Sequence, residues 1–166
     1  MDQQHPSGPP SVATLDGATD DVHASISPLL RRVRQLFRMD VVFVAKLADG
    51  RRTFEFVDAP QGSAVRVGES DPEEESYCYH IVEGRLPQVI PDTGALQQAT
   101  GLAVTHMLGI GSYMGVPIVL PDGSVYGTLC CLSHQPRPDL QRDSADVLRG
   151  VALAVAARLD PKALRT

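Results

Sequence analysis

The stretch Ser112-Tyr113-Met114-Gly115-Val116-Pro117-Ile118-Val119-Leu120-Pro121-Asp122-Gly123-Ser124-Val125-Tyr126-Gly127-Thr128-Leu129-Cys130-Cys131-Leu132-Ser133 decides the fold. Its two halves, Ser112 to Leu120 and Ser124 to Ser133, are nearly continuously apolar. Pro121-Asp122-Gly123 joins them as an Asp-Gly hairpin connection. Strands that are apolar at successive positions, rather than at alternate ones, are covered on both faces. The rest of the chain therefore has to supply two layers for this hairpin.

Working outward, Leu148, Val151, Ala152, Val155 and Leu159 have the spacing of one helix face, and Pro161 is its stop. Near the other end, Ile26, Leu29, Leu30, Val33 and Phe37 form a matching stripe. Ser27 before Pro28 reads as an N-cap and a first-turn proline, with an earlier start and a kink as the alternative. Between these helices, Asp40 to Leu47 and Arg51 to Asp58 read as a hairpin across Ala48-Asp49-Gly50, the second strand alternating around Phe54 and Phe56. Ser70 to Glu75 predicts the start of a helix, with Ser70 and Glu73 or Asp71 and Glu74 as a capping box and Gly84 as the stop. Leu86 to Ile90 predicts a short strand. Thr93 to Gly111 is irregular, with helical turns near Leu96-Gln97-Gln98 and Val104-Thr105-His106.

This order predicts an α+β fold (α/β in the broad sense): an antiparallel sheet with both terminal helices on one face. The middle helix and the irregular segment then cover the other face or wall a pocket. Length predicts one domain, with a flexible tail over 1–21, the domain over 22–160 and a tail over 161–166.

With 5% aromatic residues and no Trp, the core is built mainly from Val, Leu, Ile and Ala. The net charge of −5 argues against nucleic acid as a partner, and Arg31, Arg32, Arg34 and Arg38 read as the wet face of the first helix. Three cysteines, two of them adjacent, make no disulfide framework and suit a reducing cytoplasm. The polar start gives no signal peptide, and Val151 to Ala157 is too short to span a bilayer, so no membrane role is expected.

Five short stretches occur in order: Met39-Asp40-Val41-Val42-Phe43-Val44, Glu75-Ser76-Tyr77-Cys78, Glu83-Gly84-Arg85-Leu86-Pro87-Gln88-Val89-Ile90-Pro91-Asp92, Gly115-Val116-Pro117-Ile118 and Tyr126-Gly127-Thr128-Leu129-Cys130-Cys131. Together they resemble the GAF domains that precede cyclic-di-GMP signalling output domains in bacteria, particularly actinobacteria. The resemblance covers residues 25 to 160. It implies a six-stranded antiparallel sheet with terminal helices that often dimerise on one face and a small-molecule pocket on the other. With nothing after residue 166, the chain is expected to be a stand-alone sensor acting on a signalling output partner or a domain cut from a longer protein.

The residues constrain the pocket chemistry mostly by exclusion. Cys78 and His80, two apart on a helix, point roughly 200° apart and cannot share one ion. Cys78 shares a face with Ile81 and Val82 and reads as a packed apolar thiol. The Cys-His pair of phytochrome-type bilin attachment is absent, as is the Asn-Lys-x-x-x-Phe-x-x-x-Asp-Glu signature of cyclic-nucleotide-binding relatives. Cys130 and Cys131 point to opposite faces of a strand, one toward the terminal helices and one toward the pocket. No cysteine spacing reproduces that of the methionine sulfoxide reductases of this superfamily. Gly109-Ile110-Gly111 reads as a tight turn. His106 reads as a buried, hydrogen-bonded histidine that needs no haem to explain it, and Asp92 either caps the turn after it or touches a ligand.

The reading favoured is a sensory module, not an enzyme, binding an unidentified small molecule and forming a homodimer through its terminal helices. The candidate pocket residues are Tyr77, Cys78, Asp92, His106, Tyr113, Thr128 and Cys130. A ligand-free dimerisation domain and a thiol-based redox or haem sensor are the alternatives. No cofactor is named by these residues.

Overall fold

The structure is a computed structural model and describes residues 10–159, with backbone alone for 10–20. The terminal readings over 1–9 and 161–166, and Pro161 as a helix stop, lie outside the described residues. The elements are α1 (Pro10–Phe37), β1 (Val41–Ala48), β2 (Arg51–Asp58), β3 (Ser70–Pro72), α2 (Tyr77–Val82), β4 (Val89–Ile90), α3 (Gln97–Thr100), α4 (Ala103–Met107), β5 (Ser112–Val119), β6 (Val125–Ser133) and α5 (Ser144–Leu159). Single 3₁₀ turns at Glu73–Glu75 and Thr93–Ala95 precede α2 and α3.

The strands form one antiparallel sheet in the order β3-β2-β1-β6-β5-β4. Its centre, β6, is buried continuously from Gly127 to Ser133, as a strand covered on both faces must be. On one face, Ile26, Leu30 and Val33 of α1 and Leu148, Ala152 and Val155 of α5 pack with Val42, Val44, Val116, Leu129 and Cys131. On the other, Tyr77, Cys78 and Ile81 of α2, Ala99 of α3 and Val104 of α4 pack with Phe43, Ala45, Tyr113, Cys130 and Leu132. Burying each such Leu, Ile or Val contributes roughly 1.5–3 kcal/mol before conformational entropy is counted. The period-2 geometry of strands decides the partition: Cys130 joins the second layer and Cys131 the first.

Both Asp-Gly connections fold as read. Asp49 and Gly50 have φ of 55° and 75°, the primed-turn geometry that matches strand twist. Gly109 (φ 62°) makes the tight turn expected of Gly109-Ile110-Gly111.

Four local expectations are corrected. Pro28 lies inside α1, which starts at Pro10, so the N-cap reading of Ser27 gives way to the alternative of an earlier start. Ser70 to Pro72 is an edge strand on β2, supplying the sixth strand, and neither capping box forms. The α2 cap is Ser76, whose Oγ accepts from the Tyr79 amide at 3.2 Å. Finally, Phe54 and Phe56 face opposite layers. Across from them stand the adjacent residues Ala45 and Val44, so β2 carries an extra residue there that reverses its alternation.

Candidate functional site

The bulge in β2 aims Arg52 and Phe54 at the layer formed by α2, α3 and α4. Arg52 is 3% exposed, a placement a guanidinium tolerates only with partners. Asp71 on the neighbouring β3 supplies them. Arg52 Nε donates to Oδ1 at 3.0 Å and Nη2 to Oδ2 at 2.6 Å, a bidentate pair, while the guanidinium carbon sits 4.1 Å from the centre of the Phe54 ring. Nη1 points the other way, to Cys78 Sγ at 4.0 Å.

Cys78 is fully buried at the start of α2, and it is not the apolar thiol its helix neighbours imply. Besides Arg52, its sulfur meets Tyr113 Oη at 3.9 Å and Cys130 Sγ at 4.0 Å. Thr128 Oγ1 lies 3.1 Å from Cys130 Sγ. Gly115, beside Cys130 on β5, makes this packing possible. A Cβ there would stand 2.8 Å from Ile81 Cδ1 and 3.0 Å from Cys130 Sγ.

Burial alone would raise the Cys78 pKa, but the Cys130 hydrogen bond and the Arg52 charge outweigh it and lower it below the ordinary thiol value. Cys130 moves the opposite way, pushed up by burial and by its hydrogen bond with Cys78. Burial likewise keeps the Tyr113 hydroxyl protonated well beyond its usual range. The cluster thus holds one thiol biased toward thiolate and a second held as thiol.

Tyr77 packs at a tilt of 54° against Tyr113 with ring centroids 4.6 Å apart, and its hydroxyl bonds Thr105 of α4 at 2.5 Å. Thr105 in turn donates to the Ala99 carbonyl, tying α2, α3 and α4 into one unit. A cleft of about 460 Å³ opens beside this unit, with Arg52, Phe54, Ser70 and Asp71 on one wall and Val104 and Met107 on the other. Met107 is 75% exposed at its mouth.

Of the residues anticipated from sequence, Tyr77, Cys78, Tyr113, Thr128 and Cys130 meet in this cluster. Asp92 and His106 do not. Asp92 is exposed and caps its turn by accepting from the Gly94 amide at 3.0 Å, while His106 is exposed with Nε2 3.4 Å from the Thr100 carbonyl. His80 bonds the Glu74 carbonyl at 2.8 Å, away from Cys78. Arg52, Asp71 and Thr105 were missed. The available signal was Arg52 itself, a charge in register with Phe54. Among the described residues no three His, Cys, Asp or Glu gather as a metal site, and no helix is long and apolar enough to cross a membrane.

Two layers of helices on a six-stranded antiparallel sheet, with a cleft over one face, define an α+β architecture. The chain belongs to the GAF domain family, whose profile matches residues 21–159. GAF domains are small-molecule-binding sensory modules of signalling proteins and are generally not catalytic. The GAF domain region of a putative membrane protein from Geobacter sulfurreducens PCA superposes with a TM-score of 0.69 at 20% identity, covering 88% of this chain and 97% of that one. A far-red cyanobacteriochrome photoreceptor superposes at 0.67 with 16% identity, covering 90% and 91%. In sequence, 57 residues are 42% identical to diguanylate cyclase DgcP of Escherichia coli (strain K12), spanning 34% of this chain and 16% of the cyclase. The shared stretch is thus a small part of that enzyme.

Proposed function

We propose that this chain is a regulatory sensor that binds a small amphiphilic molecule in the cleft between β2, β3 and α4 and acts as a homodimer on a signalling output protein in the cytoplasm. The observation that carries the reading is the cleft lining, where a buried Arg52 guanidinium, paired with a partly exposed Asp71, faces the apolar Val104 and Met107 wall. Such a site offers apolar area for a ring or chain and a few fixed polar groups for orientation. The match to a diguanylate cyclase supports an output of cyclic-di-GMP type. On the opposite face, Leu36 of α1 and Leu153 of α5 are 64% and 70% exposed, and a second copy would cover them.

Two measurements test this. Fractions of a bacterial metabolite extract are screened by thermal shift against the wild type and Ala64→Trp, whose indole would fill the cleft that Ala64 helps to line. At least one fraction should raise the Tm of the wild type by several degrees and leave Ala64→Trp unmoved; equal responses, or none, would sink the ligand half. Light scattering on the wild type and Leu36→Asp/Leu153→Asp tests the rest: a dimer is expected for the first and a monomer for the second.

A further inference from the structure

We infer that Cys78 and Cys130 are a peroxide-reactive dithiol, Cys78 reducing a hydroperoxide and Cys130 closing a Cys78–Cys130 disulfide between α2 and β6. The geometry carries this: two free sulfurs 4.0 Å apart, a guanidinium 4.0 Å from the first, and a hydroxyl 3.1 Å from the second. It concerns residues beneath the cleft and stands with or without a ligand bound there.

The chemistry balances with a hydroperoxide as the oxidant. The Cys78 thiolate attacks the distal oxygen, the O–O bond breaks, and Cys78 becomes a sulfenic acid. The departing hydroxide or alkoxide takes up a proton equivalent to the one Cys78 released. Arg52 Nη1 and Tyr113 Oη, both within 4.0 Å of Cys78 Sγ, are the donors placed to stabilise that departing charge. The Cys130 sulfur then attacks the Cys78 sulfur and displaces hydroxide, which leaves as water with the Cys130 proton. Two thiols and one hydrogen peroxide yield one disulfide and two waters.

Access selects the oxidant. Cys78 is fully buried, and Arg52, whose Nη1 is 4.0 Å from its sulfur, separates it from the cleft, so an oxidant has to pass Arg52. Hydrogen peroxide is small enough to do so, whereas a bulky aromatic disulfide is not. Cys131 is the built-in control. It is just as buried, lies on the other face of β6 among the terminal-helix residues, and burial pushes its pKa up to about 12.

The disulfide also has a mechanical consequence. Its sulfurs must close from 4.0 Å to about 2 Å, which draws the first turn of α2 toward β6. Tyr77 in that turn is bonded to Thr105 of α4, so the movement passes to the cleft wall that carries Val104 and Met107. Oxidation thereby reshapes the cleft.

The test is dose-controlled oxidation of the full chain with hydrogen peroxide, followed by alkylation under denaturing conditions and peptide mass mapping. Exposed Met107 serves as a dosimeter, since its sulfoxide forms without help from the fold. The expected result is a Cys78–Cys130 link, reversed by dithiothreitol, complete before Met107 is oxidised and leaving Cys131 alkylatable. Cys130→Ser should stop at a Cys78 sulfenic acid that dimedone traps, and Arg52→Met should slow oxidation by about tenfold at neutral pH. Met107 oxidised while all three cysteines still alkylate would overturn the proposal. So would any link through Cys131 in the folded chain, or the same pairing pattern in urea as in buffer. The wild-type mapping decides the matter even if a variant fails to fold.

Discussion

Asp71→Asn should destabilise the protein far more than Arg52→Met, although the two residues belong to one ion pair. The side chain of Arg52 is 4% exposed and that of Asp71 32%. Removing the carboxylate leaves a buried guanidinium with no full counter-charge, a situation that costs about 3–5 kcal/mol. Removing the guanidinium leaves a carboxylate that can rehydrate, while Met fills the volume over the Phe54 ring and keeps an apolar contact there. That loss is about 1–2 kcal/mol, close to the value of a half-exposed pair. In the Arg52→Met background, Asp71→Asn should add almost nothing, giving a coupling of about 3–5 kcal/mol.

Urea unfolding followed by far-ultraviolet circular dichroism suits a chain without Trp. With a slope of about 2 kcal/mol per molar, Asp71→Asn lowers the midpoint by about 1.5–2.5 M and Arg52→Met by about 0.5–1 M. A second signature follows from Cys78. Its folded pKa lies below the ordinary 9.0, so its thiolate contributes stability that is fully present above that value and lost as pH falls through the folded one. In Asp71→Asn the thiolate is the remaining counter-charge to Arg52. The penalty should therefore shrink between pH 5 and 9, and Cys78→Ala should abolish that pH dependence. If Arg52→Met proved as costly as Asp71→Asn, or the two penalties simply added, the burial argument would be wrong.

Two further outcomes follow from single positions. Gly127→Ala would place a Cβ 1.8 Å from the Ala45 carbonyl oxygen, forcing β1 and β6 apart, and should cost about 3 kcal/mol or more. Gly150→Ala, in open space on α5, should be neutral or stabilise by up to about 1 kcal/mol, as paired thermal melts would show. The Cys131 pKa, raised by burial to about 12, makes its contribution present below 9.0 and lost as pH rises toward 12. In that window the stability of the wild type should fall faster than that of Cys131→Val, by about 1.4 kcal/mol per pH unit.

What could be read from the chain in advance was whatever is local. The turns at Asp49-Gly50 and Asp122-Gly123 are fixed by residues that accept positive φ, and the α1 and α5 stripes by a 3.6-residue period. The candidate site depended on contacts that sequence spacing does not record. Arg52 and Asp71 are 19 residues apart and Cys78 and Cys130 are 52 apart, brought together only by sheet order and by the β2 bulge. Ser70 to Pro72 read as a helix start because its Ser, Asp and Pro favour caps, yet pairing with Arg51 to Thr53 overrode that preference. Asp92 and His106 were placed near the pocket by proximity in the chain, and their side chains were claimed by neighbouring backbone groups instead.

The packing also explains how a change on one face of the sheet can reach the other. Tyr77, Tyr113, Phe43 and Cys130 fill the space under α2, so nothing there can move alone. Cys130 and Cys131 are consecutive on the central strand, one in each core. A displacement of β6 at Cys130, whether from a ligand pressing on α4 or from a disulfide drawing in α2, is at once a displacement of Cys131 against the terminal-helix layer. Leu148, Ala152 and Val155 of α5 lie in that layer, and Leu153 stands exposed on the same helix. The two cores are thus joined at β6 by a single peptide unit, and substitutions at Cys131 that alter its volume should uncouple the two faces while leaving cleft binding intact.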